Sequence, residues 1–391
     1  MKTLIIFVLF IGVLLGDDLP LSEQKEELLR LKRQKIREDI DAQKKSWVSP
    51  LIFSLSANKN KDAIDMESET KNAGLQWSQD LFRSGGIFYT VEQANALGQA
   101  NLLSIDREEA GYLKQIYTLQ AQIERDTLKR RQNELTLKNS DIDLFIIKAK
   151  YKVGSADISE LNRATIDRDN ARTALIVIKN TLRNEVYELK KLIGHEKIDT
   201  LILSDIPLIS KTEYIKHQLE LLQYEAQDKS DDAAWKIARA SYLPKLTFNG
   251  SFGYSDYQSD AIEYNGNDYR YGAVLSIPLD INTRATIESS RLQLLQTRTA
   301  QLDRRMELEQ EYEMRFYTIA DYEEKIGVAE EMISMYNELY SFTDNQVKAG
   351  FKSTYDLESL GNSLDIQRLE KEIQSYNIEI EKISLYFDTK R

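Results

Sequence analysis

The sequence predicts a mainly α fold with a small β part, in which one arrangement of helix, strand pair and long helical hairpin is written twice. Three observations carry this. Landmarks recur at an offset of about 195 residues: Pro50 with Pro244, Ser78 with Ser276, and Gly154 with Gly350. The five prolines, Pro20, Pro50, Pro207, Pro244 and Pro278, leave residues 51–206 and 279–391 without one. A proline inside a helix costs about 3 kcal/mol, so such gaps fit long uninterrupted helices. Between the helical runs, short segments alternate apolar and small or polar residues with the period of a strand.

The first sixteen residues read as an export signal: Lys2, then the apolar run Leu4 to Leu15, then Gly16 before Asp17. That run is too short to span a bilayer comfortably. The expected first repeat covers 17–195, an inter-repeat linker 196–210, and the second repeat 211–391. Residues 87–150 and 284–346 each predict a rod of about 95 Å at 1.5 Å per residue. Residues 20–46 with 156–194, and 211–241 with 354–388, predict two spliced rods of similar length. Ile366, Leu369, Ile373, Tyr376, Ile380, Ile383 and Phe387 step by three and four residues, as do Ala171, Leu175, Ile178, Leu182, Val186 and Leu189. Both stripes read as helix-to-helix packing.

The strand signal is clearest in the second copy. Leu246, Phe248, Gly250, Phe252 and Tyr254 point one way, against Thr247, Asn249, Ser251, Gly253 and Ser255. Tyr269, Tyr271, Ala273, Leu275 and Ile277 form the apolar side of the next strand. Leu51, Phe53 and Leu55, then Leu75 and Trp77, are their counterparts in the first copy. An apolar face set against a small polar one suits a transmembrane β-strand, with a half-buried sheet in a soluble domain as the lesser alternative. On the membrane reading, Tyr254, Tyr257, Tyr264, Tyr269 and Tyr271 make an interfacial aromatic girdle, and Asn58–Thr70 and Ser255–Asp268 are external loops. Four strands cannot close a barrel, so each subunit must then donate its strands to a shared one.

Composition narrows the function classes. There is no cysteine, which removes disulfides, thiol catalysis, zinc-thiolate sites and a lipid-anchor cysteine. His195 and His217 stand outside any ligand-like spacing. With 52 Lys and Arg against 63 Asp and Glu the chain is acidic, net −11, which argues against nucleic acid as a partner. No nucleophile elbow, phosphate loop or metal box is present, so neither an enzyme nor a cofactor is expected.

In this order and spacing, the duplication together with Tyr242-Leu243-Pro244-Lys245-Leu246, Leu275-Ser276-Ile277-Pro278-Leu279 and Leu81-Phe82-Arg83-Ser84-Gly85-Gly86 resembles the TolC-type outer-membrane efflux proteins. The family joins the last two elements as a Ser-x-Pro-Leu-Phe-x-x-Gly-Gly run. This chain has Asp80 for the proline in the first copy and Asp280-Ile281-Asn282-Thr283 in the second. The resemblance implies a homotrimer with one twelve-stranded transmembrane β-barrel, continued by an α-helical periplasmic tunnel. It implies a passive exit duct of a tripartite efflux or type I secretion system in the outer membrane. The implied partners are outer-membrane lipid, a periplasmic adaptor, and an inner-membrane pump of RND, ABC or MFS type. A periplasmic coiled-coil adaptor, or a structural protein without a pore, is the alternative, although an adaptor carries one main hairpin rather than two.

Carried over by the same resemblance, Val153, Gly154 and Ser155, with Ala349, Gly350 and Phe351, are periplasmic tips where an adaptor docks. Asp356 is an inward carboxylate at the closed end of the channel. Ser359 stands where the family often has a second acid, which implies a weaker negative ring. Lys352 and Glu160 match positions that pair across neighbouring hairpins and hold the gate shut.

Overall fold

The computed structural model describes residues 20–61, 67–194, 206–259 and 262–389. The expected export signal, His195 and most of the linker lie outside them. Eleven elements follow in order: α1 Glu23–Lys44, β1 Ile52–Lys61, β2 Glu67–Phe82, α2 Gly86–Lys152, α3 Ile158–Ile193, α4 Lys211–His217, α5 Leu219–Ala240, β3 Lys245–Ser259, β4 Glu263–Ser276, α6 Thr283–Lys348 and α7 Thr354–Phe387. The two proline-free helices α2 and α6 run 67 and 66 residues. No helix among the described residues is long and apolar enough to cross a membrane.

The helix expected over 211–241 is broken at Gln218. Its backbone is extended (ψ 119°) and it bridges Thr389, while the Leu219 N–H donates to the Asp388 carbonyl at 3.1 Å. A tertiary contact with the end of α7 thus takes backbone groups that a continuous helix would have used itself.

The chain forms two compact units, one of residues 31–105 and 220–304, the other of the remainder. The first contains a four-stranded antiparallel sheet in the order β1-β2-β3-β4. The β2–β3 ladder sews the two copies together. Phe53, Leu75, Phe252 and Tyr269 fall in one cross-strand row, with Leu55, Ala73 and Tyr254 in the next. Successive residues alternate faces, so this side is apolar, and it is exposed along most of its length, Tyr271 to 78 %. The other side is polar and bonded across strands. The Ser78 hydroxyl donates to Asn249 Oδ1 at 2.7 Å, and Ser255 to Asn72 Oδ1 at 2.7 Å.

Register corrects two expectations. Tyr257 pairs with Tyr264 in an unbroken ladder, and parity places both on the polar face, away from Tyr254, Tyr269 and Tyr271. The segments expected as loops, Asn58–Thr70 and Ser255–Asp268, are mostly strand. Their polar residues still pair backbone to backbone, and Lys59 meets Glu67 across the strands at 2.9 Å.

At the base of the sheet, polar side chains fix the turn from strand to helix. Buried Gln79 donates to the Trp47 carbonyl at 3.0 Å and accepts the Ser49 N–H at 2.9 Å. Asp80, standing where the family motif has proline, accepts from Arg83 and the Thr247 hydroxyl, each at 2.6 Å. The Ser84 hydroxyl donates to the Pro244 carbonyl at 2.6 Å, tying the bend after β2 in one copy to the bend before β3 in the other.

The second unit is a helical layer. Helix α7 packs on α2 through the stacked rings of Tyr117 and Phe387, 5.1 Å apart, and on α6 through Arg315 to Glu381 at 2.6 Å. Leu369, Ile373, Ile383 and Phe387 of the expected stripe are buried, as are Leu175 and Leu189 of the other. Between α2 and α3 lies a carboxyl pair, Asp126 and Glu185. Asp126 is 2 % exposed, with Arg125 Nε at 2.7 Å and Lys129 Nζ at 3.4 Å. Burial opposes its charge, yet Arg125 and Lys129 hold its carboxyl below the ordinary aspartate value. Burial, and then the charge of Asp126, push the Glu185 carboxyl up to about 7.

A carboxyl whose folded value is raised contributes stability below its ordinary value of 4.5 and loses that contribution as the pH rises through about 7. Thermal midpoints should therefore fall between about pH 5 and pH 8, and Glu185→Gln, which stays neutral and keeps a donor for Asp126, should flatten that slope. An unchanged slope in the variant would show that the pair does not titrate in this range.

Candidate functional site at the helical hairpin tips

The two hairpin turns close by the same hydrogen bonds. Helix α2 ends with the Gly154 N–H donating to the Tyr151 carbonyl at 3.1 Å and the Ser155 N–H to Lys150 at 2.9 Å. Helix α6 ends with Gly350 to Val347 at 3.0 Å and Phe351 to Gln346 at 2.9 Å. Each is the nested pair that terminates a helix on a left-handed residue, and the glycines sit at φ 76° and 79°. The turns leave Val153 and Phe351 on the surface, 79 % and 83 % exposed. They also lie side by side, since the rings of Phe145 on α2 and Tyr355 on α7 are 5.2 Å apart.

The next helices start alike. Asp157 accepts the Glu160 N–H at 2.8 Å while Glu160 accepts the Asp157 N–H at 3.1 Å. On α7, the Asp356 N–H donates to Ser353 Oγ at 3.2 Å, and Asp356 Oδ2 accepts the Ser353 N–H and hydroxyl at 3.0 and 2.9 Å. Both are reciprocal N-terminal caps. Asp356 and Glu160 therefore occupy one position in the two copies, each bound to its own helix start. Hydrogen bonds from the Ser353 backbone and hydroxyl, then the charges of Lys352 and Lys150, hold the Asp356 carboxyl below the usual aspartate value. It stays ionised at neutral pH. Among the described residues Lys352 and Glu160 form no ion pair with each other; the charge of Lys352 acts on Asp356 instead.

Ser359 faces α2, its carbonyl accepting from Asn139 Nδ2 at 3.3 Å, and Glu358 is exposed. Both caps are legible in the sequence as Asp157-x-x-Glu160 and Ser353-x-x-Asp356. The lysines at the tips, Lys150, Lys152 and Lys348, sit in last turns, where positive charge complements the helix dipole.

No atom stands within 4 Å of where a Cβ would sit on Gly154 or Gly350, so substitution there costs only backbone conformation. Gly154→Val or Gly350→Val should destabilise its turn by about 1–2 kcal/mol, and Gly350→Asn by less. Hydrogen exchange at the turn amides reads this, with the sheet unchanged; equal exchange in Val and Asn variants would contradict the left-handed assignment. Asp356→Ala should fray the start of α7 at a cost of about 0.5–2 kcal/mol, while Asp356→Asn, keeping an acceptor, should cost less.

The sequence matches the family model described as outer membrane efflux protein over residues 28–195 and 212–387. Among curated proteins none matches it. Solved structures do. The Campylobacter jejuni CmeC outer membrane channel superimposes with a TM-score of 0.75 at 14 % identity, covering 94 % of this chain and 84 % of that one. A membrane protein from Pseudomonas aeruginosa gives 0.70 at 15 %, covering 94 % and 90 %. The outer membrane protein VceC of Vibrio cholerae gives 0.67 at 14 %, covering 90 % of each. At these identities the likeness speaks for the fold, helices with a small antiparallel sheet. Matched across most of both copies, the chain belongs to the outer membrane efflux protein family.

Proposed function

We propose that three copies of this chain close one twelve-stranded barrel in the outer membrane, continued by a periplasmic helical tunnel. The assembly is a passive exit duct that docks to a periplasmic adaptor and an inner-membrane pump. The observation that carries this reading is the sheet: four strands, one exposed apolar face, one polar face, and two outer strands with open edges. In lipid those edges must be paired, and the strands of neighbouring copies are the available partners. Family membership favours the duct over a pore-free adaptor.

Within it, residues 1–16 are the export signal, and 17–195 and 211–391 are the two repeats around a linker at 196–210. Val153, Gly154, Ser155, Ala349, Gly350 and Phe351 present the docking surface. Asp356 from three copies gives a negative ring at the closed end, and Lys352 pairs with Glu160 of a neighbouring hairpin once copies assemble. An RND, ABC or MFS pump supplies the energy and chooses the cargo, and the duct performs no reaction.

Envelope fractionation and cross-linking test this. The protein should sediment with the outer membrane and cross-link as three copies. Phe252→Arg on the apolar face should cost about 2–4 kcal/mol near mid-bilayer and deplete the trimer, while Ser251→Arg on the polar face should not. A soluble monomer, or equal tolerance of both substitutions, would overturn the barrel.

A further inference from the structure

The polar face of the sheet is built mainly of small side chains, Gln76, Asp268 and Arg270 apart, and it carries two aromatic rings close together. Along β3 it reads Asn249, Ser251, Gly253 and Ser255, and then Tyr257. Tyr257 stands opposite Tyr264 in the ladder, and the same row continues to Thr70 and Asn58. The adjoining row is Ser56, Asn72, Ser255 and Gly266, so nothing beside the tyrosines matches their reach. Tyr264 is 56 % exposed, and its ring lies along its own strand, with Oη 2.8 Å from where a Cβ of Gly266 would sit. A larger residue at Gly266 would displace the ring. On the apolar face such aromatics would anchor in lipid headgroups, but parity denies these two that role.

We infer that Tyr257 and Tyr264 form an aromatic collar inside the outer mouth of the barrel, where they set the width of the exit. The inference rests on the closed-barrel reading, with the polar face inward and the β3–β4 turn outermost. Three copies would then place six rings in one layer. Below it the lumen is lined mainly by serine, asparagine and glycine, with Asp268 and one flexible Arg270 per copy deeper in. Two rigid rings per copy crowd this layer more than the one flexible Arg270 crowds its own, so this layer limits the size of solutes passing the mouth in either direction. Tyrosine suits the place because it combines a rigid ring with a hydroxyl that stays wet.

The absence of cysteine makes a clean test possible. Ser251→Cys places a single thiol on the polar face, about 20 Å inward from Tyr257 at 3.4 Å per residue. In intact cells carrying this variant in the outer membrane, a small membrane-impermeant maleimide should label it, and a maleimide on a long polyethylene glycol chain should label it slowly. Adding Tyr257→Ser and Tyr264→Ser should raise the rate with the long reagent roughly tenfold, whereas Tyr257→Phe with Tyr264→Phe should keep it low. Each variant is first shown to form cross-linkable trimers, and single Tyr→Ser variants serve if the double one does not assemble. Equal rates with and without the tyrosines, while the small reagent labels Ser251→Cys and spares Tyr254→Cys, would overturn the collar and leave the barrel standing. Labelling of Tyr254→Cys with protection of Ser251→Cys would invert the faces and overturn both.

Discussion

In hydrocarbon an unpaired peptide N–H or C=O has no water to bond, and each one costs several kcal/mol. A four-stranded antiparallel sheet with β1 and β4 at its edges and an exposed apolar face is therefore unfinished in lipid. Everything around it serves to hold that unfinished sheet correctly. Gln79, Asp80 and Ser84 lock the strand-to-helix bends through short bonds to Trp47, Thr247 and Pro244. The long helices that leave those bends carry their own hydrogen bonds and need only a side-chain stripe to pack.

The duplication is visible even in hydrogen bonding. The sequence Lys150 to Glu160 and the sequence Gln346 to Asp356 each end one helix on a left-handed glycine and begin the next with a reciprocal cap. The acids at the cap positions differ, Glu160 in one copy and Asp356 in the other, but each is satisfied locally. Asp356, fixed in this way, has a defined position and, through its bonds to Ser353, a lowered proton affinity, both of which a charged ring would need.

Much of this was legible in the sequence because it depends on local rules. Proline gaps, glycine at the turns and the alternation around Phe252 are read residue by residue, and helices and strands followed within a few positions. The break at Gln218 was not legible, since Lys211–Ala240 has no local helix breaker and the interruption comes from Asp388 and Thr389, distant in sequence. The outer parts of the strands were missed because residues such as Asn60, Ser68 and Gln258 lack apolar alternation, yet their backbones pair regardless. Tyr257 and Tyr264 were misplaced by grouping them with other tyrosines by type. Counting alternation from Tyr254 would have placed them on the polar face. At the tips, the six turn residues were found from glycine spacing, whereas the local bonding of Asp356 lay in a capping pattern that a search for channel acids passes over.

The seam between β2 and β3 joins residues as far apart as Ser68 and Ser259, 191 positions along the chain. Non-local contacts form slowly, because loop closure precedes their reward. The β1–β2 hairpin must therefore wait, with an open edge and Phe53 and Leu55 uncovered, until a helical hairpin and two further helices have been delivered. Such an intermediate is prone to aggregate. Assembly of this protein is thus a problem of timing as much as of stability, because apolar strand surface stays uncovered until the seam closes.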